Sequence, residues 1–359
     1  MNRGASSQAK RRKGELRLPA EEGSPLNFAG YHGRNVMVTG GAGFVGSALV
    51  RQLLDTGANV TVYDNFLHGS RANLDDLKGK IAVIPGDVLD EWKLLDAATG
   101  ANVEYLFHCV GDTYVPTAYD VPKRFFRINV EGTMNVLLLA KRTGMKRVLY
   151  VSSTEVYGEA QAPQIDEGHP LHPLNTYAVS KLAADRLCFS LFLEHKIPVV
   201  IARIFNAYGP RETEPYVIPE IIAQLDRGDT VRLGNIHAQR DFTYVDDTAR
   251  GLMALMLSDA PDGTPVNVGS GIPYSVEQVA KTVARLMGRP NAKIVVDPKR
   301  LRRYDINVFC CNNSLLRKLT GWVPQVGFED GLQRTIEWFR EHGRRWSWEE
   351  FVDETVMYR

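Results

Sequence analysis

VMVTGGAGFVG, residues 36–46, is the stretch whose reading decides the fold. A short apolar run ends in a glycine-rich turn, and FVGSALVRQLLDTG follows with its apolar residues at helical spacing. In such a strand–turn–helix, Gly40, Gly43 and Gly46 let the turn close and let the backbone approach a pyrophosphate at the helix N-terminus. Outward from it, apolar runs at NVTVYD (59–64), KIAVIPGDV (80–88), YLFHCV (105–110), RVLYVSS (147–153) and VVIARIF (199–205) alternate with helical patterns. Strands and helices in alternation give a parallel sheet covered on both faces.

The expected fold class is therefore α/β, a doubly wound parallel sheet of the Rossmann type over residues 34–206. A smaller mixed α/β substrate-binding domain is expected over 207–345, partly interleaved with the first. Asp64 ends the second strand, 18 residues after Gly46. A carboxylate there bonds ribose hydroxyls and repels a 2′-phosphate, which favours NAD over NADP. Asp87, after the third strand, is a candidate for the adenine edge or, alternatively, a capping aspartate.

The second informative stretch is YAVSK, 177–181, preceded by SSTE at 152–155. Tyr177 and Lys181 lie four residues apart and share a helix face. The ammonium favours the phenolate and lowers the tyrosine pKa. A phenol tuned in this way takes a proton from a substrate hydroxyl while hydride leaves the same carbon for a nicotinamide. Taken alone, the pair fits an amphipathic helix with a solvated lysine equally well; the glycine turn and the serine stretch, in this order, favour the catalytic reading.

Composition excludes several classes. With 44% hydrophobic and 24% charged residues the chain is an ordinary globular one. A net charge of +1 gives no global field for nucleic acid. Cys109, Cys188, Cys310 and Cys311 form no C-x-x-C pair and read as small buried hydrophobes of a reducing, cytoplasmic compartment. The histidines show no ligand spacing, so no metal is expected. Apolar runs are too short to span a membrane. Residues 1–33 are polar, contain Lys10, Arg11, Arg12 and Lys13, lack an apolar leader core and read as a disordered tail; 346–359 read as a C-terminal tail. The helix at 130–142 is apolar on more than one face, which fits either a subunit interface or deep burial.

These residues resemble the extended short-chain dehydrogenase/reductase family, specifically its NAD-dependent nucleotide-sugar epimerases and dehydratases. The motifs that carry the resemblance are TGGAGFVG, GDV (86–88), INVEGT (128–133), SSTEVYG (152–158), TYAVSK, RIFNAYGPR (203–211), QRDFTYVDD (239–247), NVGSG (267–271) and LTGWVP (319–324). The resemblance implies that Tyr177 and Lys181 are the catalytic pair and that Ser153 holds the hydroxyl on sugar carbon 4. It places Gly40, Gly43, Phe44, Val45, Gly46, Asp64, Asn65, Asp87 and Val88 along NAD, with Lys181 also on the nicotinamide ribose. It brings Asn206, Arg240 and Arg302 to the diphosphate or sugar, and it implies a homodimer. The chain departs from the family where His-x-Ala-Ala is usual: it has His108, Cys109, Val110, Gly111 and Asp112.

The resemblance implies oxidation of carbon 4 to a ketone, which acidifies the hydrogen on carbon 5. A 4,6-dehydratase then needs a carboxylate base, for which Glu155 is placed, and an acid for the departing 6-hydroxyl, where Thr154 replaces the usual Asp or Ser. This reaction is favoured. A 4-epimerase needs neither group, and a nucleotide-glucuronate decarboxylase uses the same ketone to lose carbon dioxide. A non-catalytic NAD-binding protein is the minor alternative.

Overall fold

The structure is a computed structural model and describes residues 26–302 and 304–343. Most of both expected tails lies outside that range. Among the described residues thirteen strands are formed: β1 Asn35–Thr39, β2 Asn59–Asp64, β3 Ala82–Pro85, β4 Tyr105–His108, β5 Arg147–Ser153, β6 Val199–Ile204, β7 Asn206–Tyr208, β8 Thr230–Leu233, β9 Gln239–Tyr244, β10 Pro265–Val268, β11 Pro273–Ser275, β12 Lys293–Val296 and β13 Val308–Phe309. The helices are α1 Phe44–Asp55, α2 Glu91–Gly100, α3 Val115–Ala118, α4 Pro122–Phe126, α5 Gly132–Thr143, α6 Thr176–His195, α7 Val217–Arg227, α8 Val245–Leu257, α9 Val276–Leu286, α10 Ser314–Thr320 and α11 Phe328–His342.

The main sheet is parallel, in the order β10, β6, β5, β4, β1, β2, β3. Val36 of β1 lies opposite Val60 of β2 on one side and Tyr105 of β4 on the other. Its central strands are apolar on both faces because helices cover both, and two separate cores result, one beneath α1 and α8, the other beneath α2, α5 and α6. Strand order reverses at β1, and the crevice outside the carboxyl ends of β1 and β4 is where a doubly wound sheet binds its ligand.

A third core, around Ile218, Ile221, Phe242, Val279 and Leu332, belongs to the second half of the chain. Two elements of that half return to the sheet: β10 pairs with β6, and α8 lies beside α1. Two local differences from the sequence reading have physical causes. The expected N-terminal tail reaches Gly33, yet Tyr31 is fully buried and its hydroxyl donates to the Met253 carbonyl at 2.7 Å, so the chain is anchored before β1. The helix expected from 130 begins at Gly132, after a wide π turn at Arg127–Glu131 that buries Asn129. One side of α5 stays outward, with Met134 39% exposed, while Val136, Leu137 and Leu139 are buried. No described helix is long and apolar enough to cross a membrane.

Candidate active site

The glycine turn is built by contacts that only glycine permits. Gly40 has φ +76°, and a Cβ at Gly46 would lie 2.1 Å from the Gly40 carbonyl oxygen. No side chain caps the first amides of α1, which begins at Phe44 and Val45. Asp64, buried at the end of β2, braces the turn: its Oδ2 accepts from the Ala42 amide at 2.9 Å and its Oδ1 from the Phe66 amide at 2.7 Å. Burial nevertheless pushes its carboxyl up, against those hydrogen bonds. Asn65 donates to Asp87 Oδ2 at 2.9 Å, while Asp87 Oδ1 accepts from Leu89, so Asp87 holds its own loop as well as its neighbour; Asp90, not Asp87, caps α2. Val88 is buried against the position of Gly132. A tight turn, an uncapped helix start and a carboxylate at the next strand end fit the pyrophosphate and ribose of NAD.

Tyr177 lies in the first turn of α6, where the helix dipole favours an anion. Asn175 caps that helix through the Ala178 amide, and Glu155 Oε2 accepts from Asn175 Nδ2 at 3.2 Å. Ser153 ends β5, and its hydroxyl accepts from the Glu155 amide at 3.2 Å and hydrogen-bonds with the Tyr177 phenol. The expected lowering of the phenol by the lysine is not what this arrangement produces. Lys181 is turned to the Val151 carbonyl, at 2.6 Å, and lies 4.5 Å over the Tyr150 ring. Burial pushes Lys181 down to about 8. Burial pushes Tyr177 up, the Ser153 hydrogen bond lowers it, and the Glu155 and Asp112 charges raise it further.

Thr154 is buried with its hydroxyl unpartnered, as is the Asn206 side-chain oxygen at the start of β7. Both are groups of the kind a bound polar ligand satisfies. The carboxylate of Glu155 is felt by both Tyr177 and Arg240, which places it between the phenol and β9. Arg240 is largely committed to protein partners: it donates to the Ile306 and Gln239 carbonyls at 2.7 and 2.9 Å and pairs with Asp305 at 2.9 Å. Arg302 lies within charge range of Arg240 and Tyr114.

Residues around Asp112 carry a network in which the sequence reading had named only Asp112. Asp112 is fully buried and pairs with Arg124 Nε at 2.6 Å. Asn129 clasps its backbone from both sides and donates onward to Ser180, whose hydroxyl bonds the Tyr177 carbonyl. His68 and Glu214 complete the group. Asn129 falls inside the INVEGT motif, a signal that was present without a role; His68 and Glu214 lie in loops with no local pattern.

A dinucleotide turn, a serine hydroxyl on a buried phenol and a lysine on the same helix define a short-chain dehydrogenase/reductase of the extended type. Within that class, the chain belongs to the family described as GDP-mannose 4,6 dehydratase, whose model matches residues 37–335. It is 33% identical to UDP-glucuronic acid decarboxylase 1 of Xenopus tropicalis, over 88% of this chain and 75% of the relative. Among solved structures it is similar to an epimerase from Methanothermobacter thermautotrophicus, with TM-score 0.82, 31% identity and coverage of 91% of this chain and 96% of the other. It is also similar to the dTDP-glucose 4,6-dehydratase DesIV of Streptomyces venezuelae, solved with NAD and TYD bound, with TM-score 0.81, 29% identity and coverage of 87% and 98%.

Proposed function

We propose that this protein is an NAD-dependent enzyme that modifies a nucleotide sugar through a 4-keto intermediate, with 4,6-dehydration as the favoured reaction. The observation that supports the dehydratase reading is a Glu155 carboxylate whose charge reaches the Tyr177 phenol while its Oε2 accepts from Asn175, the cap of α6. Bound NAD would supply a reversible hydride acceptor for sugar carbon 4. Gly40, Gly43, Gly46, Phe44 and Val45 would hold its pyrophosphate; Asp64 and Asn65, its adenosine ribose; Lys181, its nicotinamide ribose.

Tyr177 takes the proton of the 4-hydroxyl at its phenolic oxygen, held in line by Ser153. Lys181, with its proton poised near about 8, supports the phenolate once substrate and cofactor exclude water. Glu155 then removes the hydrogen on carbon 5, acidified by the ketone beside it. The Thr154 hydroxyl, unpartnered in its buried position, assists departure of the 6-hydroxyl.

The same hydroxyl supports a second reading. A threonine is a weak acid, and loss of carbon dioxide from a nucleotide hexuronate needs no acid at carbon 6, so decarboxylation fits Thr154 and the decarboxylase relatives. Mass spectrometry after incubation with nucleotide hexoses and hexuronates separates the readings: loss of water supports the dehydratase, loss of carbon dioxide the decarboxylase, and an unchanged mass with a new isomer the epimerase. Glu155→Gln is expected to keep NAD and substrate binding and to abolish exchange of the carbon 5 hydrogen with solvent. Unchanged exchange removes Glu155 from the mechanism.

A further inference from the structure

We propose that His68 is a clasp that retains the cofactor, its ring joining the cofactor-side loop to two loops on the far wall of the crevice. The inference rests on the reading of this site as one that binds NAD. His68 lies in the segment that leaves Asp64, and that segment is fastened to the glycine turn: the Ser70 amide donates to the Ala42 carbonyl at 3.0 Å. From there its ring reaches in two directions. Nδ1 meets Glu214 Oε1 at 2.8 Å, in the segment that follows β7. Nε2 lies 3.4 Å from Asp112 Oδ1, an ion-pair contact without hydrogen-bond alignment, in the loop that follows β4.

The three segments enclose the path a dinucleotide takes. At one end is the turn at Ala42 and Asp64. At the other, a Cβ at Gly111, next to Asp112, would lie 3.7 Å from Lys181 Nζ. Two neutral contacts fix the geometry on either side of the ring. Asn73 donates to both the Ala42 and Arg211 carbonyls, at 3.1 and 3.4 Å, and Tyr216 donates to Thr113 at 2.9 Å. His68 is the charged link between them. Asp112 passes the connection through Asn129 and Ser180 to the first turn of α6.

The reaction class makes retention useful, because the hydride taken from a substrate must go back to the same molecule; a cofactor that left between the two transfers would strand a ketone. The charged groups facing His68 are Glu214, Asp112, Asp64 and Arg124; burial and the Glu214 charge hold the neighbouring Glu212 carboxyl well above the usual carboxylate range. Burial opposes the imidazolium, as does Arg124, but the Glu214 hydrogen bond and the Asp112 and Glu214 charges together hold it above its ordinary value. A group raised in this way is fully charged below its ordinary value and loses its proton as pH rises through the raised one. The clasp is therefore closed just below the ordinary histidine value, while its carboxylate partners stay charged, and opens as pH rises through the raised one.

The test loads the full-length protein with NAD, exchanges it rapidly into NAD-free buffer, and follows the nucleotide remaining bound at about pH 6 and about pH 9. His68→Gln is expected to release NAD about tenfold faster at the lower pH and to lose most of the parent's pH dependence, since the charged hydrogen bond to Glu214 and the ion-pair contact with Asp112 are removed. Glu214→Gln should move release in the same direction, and it carries the test if His68→Gln proves unfolded by cofactor-free melting. Release rates equal to the parent's in both variants overturn the clasp, and so does faster release with the parent's pH dependence intact. A parent that binds no NAD would instead overturn the cofactor reading beneath it, which is a different result from the same experiment.

Discussion

The two ends of the crevice are held by different kinds of bond. At the cofactor end, backbone groups do the holding: Asp64 receives two amides, the turn closes on the Gly40 carbonyl, and α1 begins without a side-chain cap. At the other end, around the phenol, side chains hold side chains: Asp112 with Arg124, Arg240 with Asp305, Glu155 with Asn175, and Glu214 with His68, which reaches across from the cofactor side. Backbone cradles are set by a few glycines and change little with the residues around them. Side-chain networks are rewritten by single substitutions. The comparison teaches that this fold separates a fixed redox device from an adjustable wall, so relatives at about the same identity carry out different reactions.

The largest expected effect comes from the residue at the junction of the two ends. Tyr177→Phe should cut the turnover number by about 10²–10⁴-fold, the usual contribution of a placed acid–base group. NAD binding should persist, because the phenol bonds Ser153 and not the glycine turn. A variant that turned over normally would break the assignment of Tyr177, and a protein whose response to NAD survived while no sugar ever turned over would be a sensor.

A smaller but cleaner effect is expected from Gly46→Ala. The new Cβ, 2.1 Å from a carbonyl oxygen, forces backbone movement at the pyrophosphate cradle. NAD affinity should fall about a hundredfold, which is about 2.8 kcal/mol. Titration of the cofactor-free protein by tryptophan fluorescence measures it. If the backbone rule at this end is right, nucleotide-sugar affinity measured without NAD is unchanged; a parallel loss of both would show that the ends are not independent.

The same contrast explains how far the sequence could be read. The sheet, Asp64, Tyr177, Lys181 and Ser153 are legible because each is fixed by its immediate neighbours, a strand end, a glycine or a helix turn. The first core position is already in the wrong class at Tyr31, because its partner is Met253, 222 residues away. His68 and Glu214, 146 residues apart, carry no local pattern that announces a pairing. Arg240 was legible only as a basic residue of the QRDFTYVDD motif, yet its hydrogen bonds go to residues 239, 305 and 306, which a motif does not display. The orientation of Lys181 towards the Val151 carbonyl depends on how β5 and α6 pack, and spacing along one helix does not contain it.

Arg240 offers the smallest and most discriminating effect. Its Nη1 is held by two backbone carbonyls, so the arginine keeps its position without Asp305, and only Nη2 is shared with that carboxylate. If Arg240 grips the substrate, as the family resemblance implies, an entering diphosphate would compete with Asp305 for the same guanidinium edge. Asp305→Asn retains a hydrogen-bond acceptor and removes the competing charge, so KM for the nucleotide sugar should fall about threefold at low salt, within the range of a partly exposed ion pair. Added salt should erase the difference, because the gain is a screened charge effect. The turnover number and NAD affinity should not move. A KM that stays constant while the melting temperature drops would mean that Arg240 serves only to fasten residues 305 and 306 to β9, and that the diphosphate is gripped by Arg302 instead.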